Sequence, residues 1–146
     1  MLSSLSQIFW HENDLGGLLP ASISNLTHLT DLYLNENELY GGIPPEVGTL
    51  GSLNLLDLSN NNLSGPIPTS IGNMKSLTSL LLSSNNLTGE IPSSLGNLGN
   101  LTTLQLSDNN FEGPIPTSIG NLRSLTSLFL SFNHLTGAIP ASLGHL

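Results

Sequence analysis

Hydrophobic residues recur along the chain at one constant interval, so that they form columns. One column is Leu5, Leu29, Leu53, Leu77, Leu101 and Leu125, and the next is Ile8, Leu32, Leu56, Leu80, Leu104 and Leu128. A third column follows two positions later, at Trp10, Leu34, Leu58, Leu82, Leu106 and Leu130. Because alternate side chains of a β-strand lie on one face, this spacing of two predicts a short strand in every period.

Each 24-residue period also contains the same arrangement of asparagine, glycine and proline. An asparagine is followed four positions later by glycine and seven positions later by proline; the asparagines are Asn13, Asn37, Asn61, Asn85, Asn109 and Asn133. This arrangement occurs six times at intervals of 24 residues, which predicts one array of six 24-residue turns over residues 1–146. A single turn cannot bury its apolar residues alone, so we expect the turns to stack as a solenoid with a parallel sheet.

The constant phase of these polar residues suggests structural roles. A buried asparagine amide can satisfy backbone groups leaving the strand, so the asparagine column is interpreted as a structural ladder. Glycine allows backbone conformations that a Cβ forbids, and proline ends any preceding helix. Thr69, Ser93 and Thr117 follow the prolines and are typical N-terminal residues of a short helical turn.

Residues 53–68 read LNLLDLSNNNLSGPIP. This turn resembles the plant-type leucine-rich repeat, LxxLxxLxLxxNxLxGxIPxxLGxL, and the resemblance covers essentially the whole chain. It implies a curved, right-handed repeat solenoid of the α/β type, with a parallel sheet on the concave face and short helical or 3-10 turns on the convex side. It also implies an extracellular or cell-surface location, a protein or peptide ligand, and a co-receptor, as for receptor-like kinases and receptor-like proteins.

The chain departs from this family at its ends. Family ectodomains carry cysteine-bearing caps, whereas this sequence has no cysteine and no visible terminal caps. We therefore expect a fragment of a longer repeat protein, with a self-sufficient short protein as the alternative. Without a cap, the first turn would leave Leu2, Leu5, Ile8, Trp10 and Ile23 partly open to water.

The charge excludes some functions. The net charge is −8 and only 8% of residues are charged, so nucleic-acid binding is not expected. Seven of the ten acids precede residue 58, where there is no Lys or Arg, which indicates either a basic partner or an ordinary solvated surface. The sequence has neither a signal peptide nor a stretch that could insert into a membrane.

Residues between the leucine columns of each strand are the candidates for ligand binding. The fold of the repeat does not require particular residue types at these positions, so these residues could determine which ligand is bound. The candidates are Phe9, Asp31, Tyr33, Glu36, Leu55, Asp57, Leu81, Gln105, Phe129 and Phe132. Apolar residues on a solvent-exposed face suggest a surface that contacts a partner. Glu12 with Glu36, and Asp14 with Glu38, are expected to be neighbours that could attract a basic peptide.

Two further motifs bear on modification and metal binding. Sequons at Asn25, Asn62, Asn86 and Asn100 are candidate glycosylation sites, although the repeat pattern itself creates two of them. His11-Glu12 lacks the second histidine of a zinc helix, because residue 15 is leucine. We therefore expect neither a metal, a cofactor nor catalysis.

Three functions remain open from the sequence. The first is an extracellular recognition module belonging to a receptor-like protein or kinase. The second is an inhibitor of a secreted cell-wall hydrolase, similar to the polygalacturonase inhibitors. The third is a structural or assembly scaffold that pairs with another repeat protein.

Overall fold

The computed structural model describes residues 4–146, so the expectation for Leu2 lies outside it. Each turn contributes a first strand, a second strand and a 3-10 helix, in that order. The first sheet contains β1 (Gln7–Phe9), β3 (Asp31–Tyr33), β5 (Leu55–Asp57), β7 (Ser79–Leu81), β9 (Thr103–Gln105) and β11 (Ser127–Phe129). The second sheet contains β2 (Gly16–Leu18), β4 (Glu38–Gly41), β6 (Asn62–Gly65), β8 (Asn86–Glu90), β10 (Asn110–Pro114) and β12 (His134–Thr136). The 3-10 helices are Ala21–Asn25, Pro45–Thr49, Thr69–Asn73, Ser93–Asn97, Thr117–Asn121 and Ala141–His145.

The two sheets are both parallel but differ in register. In the first sheet, partners occupy equivalent positions of successive turns, as Tyr33 and Asp57 do. In the second sheet the register is offset by two positions, so Glu38 lies opposite Gly16. The expected pairing of Asp14 with Glu38 is therefore wrong, because the second strand shifts by two positions from turn to turn.

The hydrophobic columns form one continuous core between the sheets and the 3-10 helices. Leu29, Leu53, Leu77 and Leu101 have no exposed surface. In the first turn, Ile8 and Ile23 are buried as well, contrary to the expectation that they would lie open. Their side chains point into the interior of the turn, which the second turn covers. Trp10 is 52% exposed and Leu5 is partly exposed, so the expectation is confirmed for these two residues.

The asparagine ladder ties each turn to the preceding one. Asn85 is buried, and its Nδ2 donates to the carbonyl of Leu58 in the preceding turn at 2.9 Å. The same amide donates to the carbonyl of Leu82 at 3.2 Å in its own turn. Its Oδ1 accepts from the backbone N–H of Leu63 at 3.0 Å. Equivalent bonds to the preceding turn are made by Asn37, Asn61, Asn109 and Asn133. Each amide thus satisfies buried backbone groups at the bend between the two strands.

The 3-10 helices begin where the sequence predicts. Thr69, Ser93 and Thr117 are their first residues, but the preceding prolines occupy the cap position and no side-chain cap is formed. The next serine of several turns bonds to the neighbouring helix instead, as Ser118 Oγ does to the carbonyl of Ser93 at 2.8 Å. The helices are close to one another: a Cβ added at Gly72 would meet the backbone of Ser94. These contacts hold the turns at a constant spacing.

Replacing Asn85 by alanine is expected to lower the free energy of unfolding by about 1–3 kcal/mol, since it leaves buried backbone groups without partners. Asn86→Ala is the matched control, because Asn86 is adjacent but exposed. Urea denaturation followed by circular dichroism would measure both. Equal midpoints for the two variants would contradict the structural role of the ladder.

Candidate ligand-binding face

The outer face of the first sheet carries the side chains that alternate with the buried leucines. The strand register arranges the predicted residues in rows that cross the sheet. One row is Phe9, Tyr33, Asp57, Leu81, Gln105 and Phe129. Asp31 and Leu55 are neighbours in the row beside it. Eight of the ten predicted binding residues therefore lie on this face, on six adjacent strands.

The aromatic residues form two separate groups. Phe9 and Tyr33 stack with ring centroids 5.1 Å apart, and the imidazole of His11 meets Tyr33 edge-on at 5.9 Å. Phe129 is four strands away from Tyr33, a distance of about 19 Å at the usual strand spacing of ~4.8 Å. Phe9 and Phe129 are both about half exposed. The face thus offers one aromatic contact area at each end.

Asp57 differs from the other members of its row because only 7% of it is exposed. Its Oδ1 accepts from the backbone N–H of Ser59 at 3.0 Å and from the Ser59 hydroxyl. The carboxylate is therefore held by the bend after the strand. Within residues 4–146, no hydrogen bond reaches its Oδ2. The sequence could not reveal this burial, since aspartate at a strand position that faces outward is normally solvated.

The remaining two predicted residues, Glu36 and Phe132, lie just beyond the strands in left-handed backbone, with φ of 55° and 53°. Glu12, Asn60, Ser84 and Asp108 have the same conformation in the other turns. Asparagine and aspartate tolerate it, whereas phenylalanine does so at a cost. Asn60 and Asp108 are a sequence signal for this turn, although the column pattern alone predicts a continuation of the strand.

A further row, absent from the predicted set, contains side-chain atoms without hydrogen bonds. His11 Nδ1, Asn35 Oδ1 and Ser83 Oγ are buried and unpartnered. In the same row, the hydroxyls of Ser131 and Ser107 bond to each other at 2.9 Å. No group of three His, Asp or Glu among residues 4–146 is arranged to hold a metal ion. Within the same range, no helix has the length and apolarity needed to cross a bilayer.

The four sequons differ in their surroundings. Asn25, Asn62 and Asn86 are exposed. Asn100 is exposed as well, but its amide Nδ2 donates to the carbonyl of Lys75 at 2.9 Å. Asn62 and Asn86 are on the second sheet, away from the aromatic groups.

Comparison with known families and structures identifies close relatives. Models described as leucine-rich repeat match residues 28–50, 52–74 and 76–135. The ectodomain of the Arabidopsis thaliana receptor kinase GASSHO1/SCHENGEN3, solved with CASPARIAN STRIP INTEGRITY FACTOR 2, is 46% identical with a TM-score of 0.96. The Arabidopsis HAESA ectodomain, solved with an IDA peptide hormone, is 41% identical with a TM-score of 0.95. The Arabidopsis BIR2 ectodomain is 36% identical with a TM-score of 0.81.

These matches differ in how much of each protein they include. The alignments cover 98%, 99% and 88% of this chain, but 17%, 25% and 68% of the three ectodomains. No curated protein matches the chain by sequence. The predicted fold, a repeat solenoid with a parallel sheet and 3-10 turns, is confirmed by these superpositions.

The left-handed backbone at Phe132 generates a stability prediction. Phe132→Asn is expected to raise the free energy of unfolding by about 1 kcal/mol, because asparagine tolerates this conformation and the 79% exposed ring contributes little burial. The reverse change, Asn60→Phe, should destabilise by a similar amount. Urea midpoints of both variants test this, and unchanged midpoints would show that the position imposes no residue preference.

Proposed function

Because the chain belongs to the leucine-rich repeat family, we propose that it is a non-catalytic recognition segment of an extracellular receptor-like protein. Its ligand is a peptide or protein that lies across the outer face of the first sheet. Residues 1–146 act as one array of six turns within this segment.

The composition of the outer face carries this proposal. Core columns repeat leucine from turn to turn, whereas the central outer row reads Phe9, Tyr33, Asp57, Leu81, Gln105 and Phe129. Folding requires the first kind of position to stay constant and leaves the second free. A row in which almost every residue differs, with an aromatic group at each end, suits recognition of one particular partner.

The ligands of the structural relatives support a peptide as the partner. GASSHO1/SCHENGEN3 was solved with CASPARIAN STRIP INTEGRITY FACTOR 2, and HAESA with the IDA peptide hormone. HAESA was also solved with the co-receptor SERK1, and BIR3 with SERK2. We extend these relationships to the present chain as a peptide ligand, a co-receptor and a cell-surface location.

Three of the four sequons suit glycosylation in that location. Asn25, Asn62 and Asn86 have exposed side chains, whereas the amide of Asn100 is engaged with Lys75. Expression in a plant secretory system followed by glycopeptide mass spectrometry should find the first three occupied and Asn100 least so. Complete occupancy of Asn100 with the others bare would contradict this ranking.

Removal of the two aromatic groups provides the main test of function. Peptides selected from a phage-displayed random library on the immobilised protein should lose about tenfold or more in affinity for Tyr33→Ala and Phe129→Ala. Both variants should keep the circular dichroism spectrum of the parent. Isothermal titration calorimetry with the selected peptides measures the loss.

Tyr40→Ala is the matched control, since Tyr40 is 55% exposed but lies on the second sheet. It should bind the selected peptides as the parent does. The proposed face is incorrect if Tyr40→Ala weakens binding more than the two variants of the first sheet do.

A further inference from the structure

Four residues of the outer face form a two-by-two block on strands β3 and β5. Asp31 lies opposite Leu55, and Tyr33 lies opposite Asp57. The two carboxylates thus occupy opposite corners, about 8 Å apart between Cα atoms for strands ~4.8 Å apart with a rise of ~3.3 Å per residue. We propose that this block binds the guanidinium group of an arginine side chain in the ligand, an inference that rests on the proposed function.

The carboxylate of Asp31 is already oriented for this contact. Its Oδ2 accepts from Gln7 Nε2 at 2.9 Å and from Thr30 Oγ1 at 2.8 Å. No hydrogen bond from the described residues reaches Oδ1. One oxygen therefore fixes the group while the other is available to a donor from the ligand.

Among residues 4–146, the carboxylate of Asp57 has no lysine or arginine beside it. The residue as a whole is more than nine-tenths buried and its Oδ1 is bonded to Ser59, whereas Oδ2 has no bond from the described residues and keeps contact with solvent. A positive group beside such a partly dehydrated carboxylate is favourable, because little water screens the attraction. The sequence contains a single lysine and a single arginine. Lys75 donates to the carbonyls of Gly72 and Asn97, and Arg123 to that of His145. Neither Lys75 nor Arg123 therefore lies at Asp57, which leaves this place open to a cation from a partner.

The other two corners suit the rest of an arginine side chain. Phe9 covers one face of the Tyr33 ring, so the opposite face lies on the side of Asp57. A guanidinium plane stacks on such a face. Leu55 is half-buried between the carboxylates and provides an apolar surface for the methylene stem.

Geometry favours arginine over lysine as the occupant. A guanidinium carries five donors in a plane, so it can bond to two separated oxygens and stack at the same time. An ammonium group is a compact charge with three donors and no planar face, so it does not stack on a ring. The corresponding block on β9 and β11, made of Thr103, Gln105, Ser127 and Phe129, contains no carboxylate. Of these two blocks, the one on β3 and β5 combines an aromatic face with two acids.

The experiment titrates the full chain with Nα-acetyl-arginine amide, Nα-acetyl-lysine amide and Nα-acetyl-citrulline amide, followed by backbone NMR. Citrulline keeps the shape of arginine without its charge. The arginine compound should shift the amide signals of β3 and β5 and bind about tenfold or more tightly than citrulline. Lysine should bind at intermediate strength. Equal affinity for arginine and citrulline would overturn the proposal.

Two variants locate the effect on the carboxylates. Asp57→Asn keeps an oxygen for Ser59 and removes the charge, and Asp31→Asn does the same at the opposite corner. Each should weaken binding of the arginine compound by about tenfold. Asp108→Asn is the control for net charge, because Asp108 is exposed and distant from the block. If all three variants bind as the parent does, the assignment is wrong. Because Asp57→Asn can disturb the bend, Asp31→Asn decides the case if Asp57→Asn fails to fold.

Failure of this inference is distinguishable from failure of the proposed function. If library peptides bind the outer face without requiring an arginine, the guanidinium site is wrong but the recognition role still holds. Selective arginine binding in the absence of any peptide ligand would support the guanidinium site and leave the recognition role without support.

Discussion

The buried asparagine amide is the interaction on which the rest of this structure depends. The chain must bend between its two strands, and the bend leaves backbone donors and acceptors inside an apolar core. Asn85 and its equivalents satisfy these groups within their own turn and in the preceding one. Because one amide bonds to backbone groups of two turns, each turn must have its asparagine at the same position relative to the bend. The distance in sequence between the strand and its asparagine is therefore the same in every turn.

Constant spacing then determines what the surface can do. Because all first strands pair through equivalent positions of successive turns, these positions form straight rows across the outer face. A residue substitution at one position of a row therefore places a new side chain at a fixed distance from its neighbours without altering the core. The block of Asp31, Tyr33, Leu55 and Asp57 arises in this way, from ordinary side chains made adjacent by the register.

The sequence predicted the features that repeat and missed those that depend on three-dimensional surroundings. The period, the leucine core and the asparagine ladder were readable because six copies reinforce one another. The second sheet was missed because its strands carry few apolar residues, as in Asn62–Gly65 where Leu63 alone is buried, so no apolar alternation marks them. The burial of Asp57 was missed because it comes from Ser59 and the bend, which periodicity does not describe.

Two positions that conflict with local stability lie on or next to the candidate binding face. Phe132 has a left-handed backbone that phenylalanine disfavours, and Asp57 is a largely buried aspartate with neither Lys75 nor Arg123 beside it. The repeated core tolerates both, because neither side chain interrupts a leucine column or the asparagine ladder. Unfavourable local conformations that persist in a folded protein are concentrated at functional sites. In this chain, therefore, the departures from the repeat carry more information about the partner than the repeat itself.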